Sequence, residues 1–269
     1  MIERVFIKRE GARWHIPGIW QFPDEPYENC PAFLIVHGYM SYKEGDALFQ
    51  GILADYLAKR GIASLRIDCT SMGENRNDRR NYTYPNLLAD VEAGYRNMLN
   101  KPGIDHERLG LIGHSLGGKL VCLSAGLKPF CIVTLNGAVT DKPITSNRNN
   151  PMFQNKWVDG EYCIVPCSDG RHELLYKAFE ESSEGYSVME TLKDYQGQMV
   201  VVVGMADPTL PPQTSLEFFE EYQGPHKTII RIEDANHTFN AKTADNAKVH
   251  EMSQKLSDLL ARIAAEAKR

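Results

Sequence analysis

A chain of 269 residues, 42% of them hydrophobic, suits one α/β domain with an insertion or two small domains, and can bury a large core. Its net charge of −5 and pI near 5.9 argue against nucleic acid as a partner, because phosphate binding relies on clustered Lys and Arg. No stretch approaches the roughly 18 apolar residues of a membrane span, and Met1–Glu10 lacks the apolar core of a signal peptide, so a cytoplasmic protein is expected. Its six cysteines are then expected to be reduced.

Arg4–Lys8 and His15–Phe22 read as two antiparallel strands split by Gly11, and Pro23–Pro31 as a loop. Ala32–Val36 is the first apolar strand, followed directly by His37-Gly38-Tyr39-Met40. The spacing of Leu48, Ile52, Leu53, Tyr56 and Leu57 predicts a helix over Asp46–Arg60, ended by Gly61. Ala63–Ile67 is a strand with Asp68 at its end, and Cys69–Tyr84 a polar loop. The basic run Arg76–Arg80 in that loop is interrupted by Asn77 and Asp78 and reads as solvated, with contact to an acidic ligand as the alternative. Pro85–Asn100 is a helix with Leu88, Val91, Tyr95 and Leu99 in register.

Arg108–Ile112 is the next strand, Leu116–Leu127 the helix after it, and Phe130–Leu135 a further strand ending in Asn136-Gly137. Val139–Gln198 breaks the rhythm with a polar stretch at Asn147–Pro151, scattered aromatics (Phe153, Trp157, Tyr162) and a helix-like Glu173–Glu181. That is far longer than an ordinary crossover; it reads as a packed insertion, a lid or cap, with a disordered linker as the alternative. Met199–Gly204 is a buried strand, followed by Ala206-Asp207-Pro208; Pro212–Tyr222 is a helix, Thr228–Ile232 a strand leading to Asp234-Ala235-Asn236-His237, and Ala247–Ala267 a closing amphipathic helix. The alternation predicts a mostly parallel sheet with helices on both faces. The division is a core of residues 1–138 and 199–269, with 139–198 as the lid.

Chemistry concentrates at Gly113-His114-Ser115-Leu116-Gly117. A G-x-S-x-G pentapeptide between a strand and a helix is the nucleophile elbow; its glycines permit a tight turn that lifts the serine hydroxyl beside a helix N-terminus. A serine at neutral pH needs a base in reach, and the base needs an orienting group. The chain order Ser115, Asp207, His237 supplies nucleophile, acid and base, each just beyond a predicted strand, where reactive groups gather in parallel sheets. Asp234 and Asp68 are the rival acids. Asp234 shares the His237 loop and follows no strand end of its own; Asp68 precedes the elbow in the chain. His106, His172, His226 and His250 sit in polar stretches and read as solvated, His15 lies in the N-terminal hairpin, and His114 has a structural or pocket-lining role. An oxyanion needs two donors. The backbone N–H of Leu116 is one and that of Tyr39 the other, with Met40 in reserve; Gly38 lets the backbone approach the substrate. Cys122 and Cys131 read as core residues, and Cys163 and Cys167 lack a partner pair for zinc, so no metal or organic cofactor is implied.

With these residues placed, the chain resembles the α/β-hydrolase superfamily over nearly its whole length, through His37-Gly38, Asp68 and the loop to Gly73, Gly113–Gly117, Asp207 and His237. Within it the chain looks like the serine aminopeptidase-like and feruloyl-esterase-like branch, whose members carry a lid in the same place. Two positions depart from that branch. Tyr39 stands where Phe is commonest, and Leu116 stands where feruloyl esterases often carry Gln, which argues against an aryl ester.

The resemblance implies hydrolysis of a carboxylic ester through an acyl-enzyme, on a small or medium acyl substrate. Thioester or amide hydrolysis would use the same residues, and a C–C bond hydrolase would differ only in the pocket. A non-catalytic binding module on the same scaffold is the alternative from another class; it need not retain all three residues. A homodimer is left open.

Overall fold

Alternate side chains of a strand point to opposite faces, so a strand apolar throughout must be covered on both. In the computed structural model, which describes residues 1–24, 28–141, 158–167 and 170–267, the strand β3 (Cys30–Val36) is such a strand, with every residue buried. Its Phe33 and Ile35 enter one core and its Leu34 and Val36 the other. The strands β1 (Ile2–Lys8), β2 (His15–Gln21), β4 (Ala63–Ile67), β5 (Ile104–His114), β6 (Cys131–Leu135), β9 (Gln198–Gly204) and β10 (Lys227–Ile232) complete an eight-stranded sheet in the order β1-β2-β4-β3-β5-β6-β9-β10. The first two strands pair antiparallel, as does β2 with β4, and all other pairs are parallel. This is the mostly parallel sheet the alternation predicts.

One face is covered by α1 (Phe49–Ala58) and α7 (Ala247–Glu266). In α7 the buried Val249, Met252, Leu256, Leu260 and Ile263 recur at helical spacing and form a single stripe. The other face carries α2 (Tyr84–Leu99), α3 (Leu116–Leu123) and α6 (Pro212–Glu221). None of the helices in the described residues is long and apolar enough to cross a membrane.

Three predicted elements differ in detail. The helix predicted from Asp46 opens as a 3-10 turn, because Ala47 and Leu48 take left-handed backbone angles, and regular helix begins at Phe49. The helix after the elbow stops at Leu123, where the Ser124 hydroxyl bonds the Leu120 carbonyl, and a 3-10 turn finishes it. Glu173–Glu181 divides into a strand, β8 (His172–Tyr176), and a short helix, α4 (Lys177–Glu181). β8 pairs antiparallel with β7 (Tyr162–Pro166). Strand pairing here overrides the helix-forming residues Glu173, Leu174 and Leu175.

The described part of the insertion is therefore a hairpin, α4 and a second short helix, α5 (Val188–Leu192). Phe153, Trp157 and the Asn147–Pro151 stretch lie outside the described residues. What is described packs firmly. Phe179 of α4 is buried and stacks on Tyr82 at 4.9 Å, with Tyr84 at 5.3 Å and Tyr39 at 5.5 Å. Cys163, Val165, Leu175, Val188 and Leu192 join the core on the α2–α3 face. Burying that much apolar surface offsets the entropy of ordering the segment, so these residues are not a linker.

Candidate active site

The elbow at the end of β5 is built by exclusion of side chains. A Cβ on Gly113 would stand 2.1 Å from the Gly117 carbonyl oxygen, and one on Gly117 would stand 2.3 Å from that of Val36. Only hydrogen fits at either position, so β5 and α3 can approach this closely. Between them Ser115 holds φ 54° and ψ −118°, a region that non-glycine residues rarely occupy. Backbone bonds over-determine it. The Ser115 N–H donates to Leu135 O, and the Ser115 carbonyl accepts from the N–H groups of Gly118 and Ala138. Leu116, the first residue of α3, has no acceptor for its N–H among the described residues, as expected at a helix start.

β9 and β10 end side by side, Gly204 opposite Ile232. The loops beyond them are tied by the bond from Ala206 N–H to the Ala235 carbonyl. Asp207 on the first loop and His237 on the second meet as a result: His237 Nδ1 lies 2.6 Å from Asp207 Oδ2. The Asp207 side chain is 1% exposed and that of His237 17%. The other carboxylate oxygen, Oδ1, accepts from the N–H groups of Thr209 and Leu210. The carboxylate is thus fixed on both oxygens, and with Nδ1 turned to Asp207 the imidazole leaves Nε2 as an acceptor. The link from Ser115 Oγ to His237 is not among the hydrogen bonds of the described residues. Such links are commonly long before substrate binds.

The rival acids are placed otherwise. Asp234 is exposed on its loop. Asp68 is fully buried and accepts from the Lys43 backbone N–H, the Lys43 ammonium at 2.6 Å and the Glu74 N–H. Its oxygens are occupied in closing the loop after β4.

Two residues hold the His237 loop from outside the predicted set. His114 donates from Nε2 to the His237 carbonyl at 2.9 Å. Its ring lies 4.8 Å from both Phe49 and His237, centroid to centroid. Burial pushes its pKa down to about 3, with the adjacent His237 adding to the effect, so it is neutral at ordinary pH. Asn136, just past β6 with φ 43°, donates to the carbonyls of Asn236 and His237, and its Oδ1 accepts from Gly204 N–H. One amide therefore pins both the acid-bearing strand and the histidine loop. The sequence offered a hint in the Asn136-Gly137 pair at a strand end, where Asn tolerates left-handed angles.

The loop after β3 holds His37, Gly38, Tyr39 and Met40. His37 is buried, donates from Nδ1 to Gly38 O and accepts at Nε2 from Cys69 N–H; burial keeps its pKa below the ordinary value. It ties this loop to the one after β4. Met40 N–H donates to the Tyr82 hydroxyl, which occupies the reserve donor. Gly38 lies directly against the elbow, its Cβ position 3.1 Å from Ser115 Cβ. No cluster of His, Cys, Asp and Glu suited to a metal ion occurs among the described residues.

Residues 53–260 match the prolyl oligopeptidase family. The chain is 22% identical over 217 residues to the mitochondrial palmitoyl-protein thioesterase ABHD10 of Homo sapiens, covering 79% of this chain and 68% of that one. Among solved structures, Est1E of Butyrivibrio proteoclasticus with ferulic acid bound superposes with a TM-score of 0.77 at 20% identity, covering 97% of this chain and 99% of the other. Mouse α/β-hydrolase domain-containing protein 10 superposes with a TM-score of 0.72 at 17% identity, covering 97% and 99%. These likenesses establish the α/β-hydrolase fold.

Proposed function

The chain belongs to the prolyl oligopeptidase family and to the α/β-hydrolase superfamily, and on that premise we propose that it is a serine hydrolase cleaving a carboxylic ester of a small or medium acyl substrate through an acyl-enzyme. The observation that carries the reading is the 2.6 Å pair of Asp207 and His237 beside a strained serine elbow. In this account His237 Nε2 takes the Ser115 proton as Oγ attacks the acyl carbonyl. Asp207 fixes the tautomer and stabilises the imidazolium. The oxyanion is received by the backbone N–H groups of Leu116 and Tyr39. The imidazolium then protonates the leaving group, and water repeats the cycle on the acyl-enzyme. Residues 139–198 act as a cap over a core of residues 1–138 and 199–269, and shape the acyl pocket.

A thioester is the second reading. It is favoured by the similarity to a protein named as a palmitoyl-protein thioesterase over most of this chain. The triad would be the same, because leaving-group choice lies in the pocket. The six cysteines are free thiols, which goes with the proposed cytoplasmic location or another reducing compartment.

The test is a panel of p-nitrophenyl esters of rising acyl length, the matching thioesters and an aminoacyl p-nitroanilide, with wild type and Ser115→Ala. Turnover of one class that vanishes in Ser115→Ala, with an unchanged melting curve, is the expected result. Equal turnover by the variant would end the assignment.

A further inference from the structure

A leaving group and an acyl chain depart from the tetrahedral carbon on different sides, and the sheet order separates the two sides here. His237, which protonates the leaving group on the reading above, comes from beyond β10, on one side of the elbow. Gly38 and Tyr39 come from the end of β3, on the other. The Cβ position of Gly38 stands 3.1 Å from Ser115 Cβ, so Tyr39 begins the wall next to the nucleophile. An acyl chain directed away from the imidazole therefore runs over the ends of β3 and β4. Tyr39 stands on that side, and Tyr82, from the loop after β4, lies 6.2 Å from it between ring centres.

That side ends on the insertion. Phe179 of α4 is buried in the angle between Tyr39, Tyr82 and Tyr84, flat against Tyr82 and tilted on the other two. Its backbone is tied to the core. Ser182 Oγ donates to the Phe179 carbonyl at 2.9 Å and accepts from the Tyr84 N–H at 3.0 Å. Tyr84 opens α2, where a helix start leaves its N–H groups without partners of their own, so one hydroxyl joins α4 to that start. The neighbouring ring is held as well, since the Tyr82 hydroxyl accepts from Met40 N–H. A ring packed against three others and tied through its own carbonyl does not swing aside for a methylene chain.

We propose that Phe179 is the end wall of the acyl pocket and sets the length of acyl chain that Ser115 can take. The assignment rests on the hydrolase reading above and sharpens it: the acyl group is short and apolar, because the wall it meets is a fixed aromatic ring. Truncating that ring opens room for further methylene groups beyond Tyr39, and one methylene in such a pocket is worth about tenfold or more in kcat/KM. A ring that served only to anchor the insertion would act differently. Its loss would loosen the pocket for every chain length alike, as would the loss of any other buried side chain of the insertion.

The test compares p-nitrophenyl esters from acetate to decanoate, and the matching thioesters, in wild type, Phe179→Ala, Phe179→Leu and Leu192→Ala. Leu192 is a buried residue of α5, which packs on α3 and the turn after it. In wild type, kcat/KM should fall about tenfold or more from butanoate to octanoate, and Phe179→Ala should raise the octanoate value about tenfold while lowering that for acetate. Phe179→Leu should fall between them, and it carries the test if Phe179→Ala does not fold. Leu192→Ala should leave the ratio of octanoate to butanoate unchanged. A wild-type optimum at octanoate or beyond overturns the wall and leaves the hydrolase reading standing. So does an unchanged ratio in the folded Phe179 variants, or an equal shift in Leu192→Ala. If no ester or thioester is turned over, calorimetric titration with sodium octanoate decides. Binding tightened about tenfold by the Phe179 truncation then supports the wall while the hydrolase reading falls, and binding unchanged or absent overturns both.

Discussion

Two buried carboxylates stand two strands away from the nucleophile strand, one on each side. Asp68 follows β4 and Asp207 lies just beyond β9, with β3 and β6 in between. By position in the sheet they are equivalent, yet they meet different partners. Asp68 is enclosed by Lys43 and by its own loop, all of its hydrogen bonds going to groups that do not turn over. Asp207 gives one oxygen to backbone N–H groups and leaves the other for an imidazole. A strand end makes a carboxylate available for chemistry; what it meets there decides whether it serves rate or stability.

Replacing each acid in turn is the strongest way to break this contrast. Asp207→Asn is expected to lower kcat for the preferred ester by roughly 10⁴, through loss of the correct histidine tautomer, while the urea midpoint changes little. Asp68→Asn is expected to do the opposite. It leaves the Lys43 ammonium buried without its partner, at a cost of about 3–5 kcal/mol in urea unfolding, with kcat of the folded enzyme nearly preserved. Exchanged phenotypes would exchange the roles.

A smaller effect is expected where the Asp207 side is held from behind. His114→Asn and Asn136→Ala each remove donors to the His237 carbonyl. Each should lower kcat by roughly tenfold with little change in KM, the loss of a hydrogen bond worth about 1–1.5 kcal/mol. A purely structural role would lower the melting temperature and leave kcat alone.

The pH dependence of stability sharpens the comparison further. The folded pKa of His114, about 3, lies below its ordinary value of 6.5, so on acidification the unfolded chain takes up the proton first. The stabilisation is complete above pH 6.5 and is lost as the pH falls from there towards 3. Wild type and His114→Asn, compared by urea unfolding across that range, should therefore converge towards its acid end. A constant difference would refute the burial of a neutral ring. The smallest effect belongs to Asp234→Asn, whose exposed side chain should change the rate less than twofold on the scale set by surface substitutions.

Much of this was legible in the chain. The elbow could be read because Gly113 and Gly117 are demanded by steric contact that no other residue allows. The meeting of Asp207 and His237 could be anticipated because each lies in a loop beyond a predicted strand, Asp207 after the apolar run Met199–Gly204. Asn136 could not be assigned a role, since its partners lie on two other strand ends, about 70 and 100 residues further along the chain. The strand β8 was hidden behind helix-forming residues, as its pairing with β7 is a tertiary decision. Arg76 and Arg80 are exposed, as their interrupted basic run suggests, whereas the pairing of Arg79 was hidden because its partner Glu173 lies 94 residues further along the chain.

The central claim is that Ser115 is activated by His237. Labelling with a fluorophosphonate, located by peptide mass spectrometry, tests it most directly in wild type and in His237→Ala. The account predicts a single adduct on Ser115 that forms at least about 10³ times more slowly in the variant. An adduct on another residue, or labelling of Ser115 at the same rate without the imidazole, would contradict it.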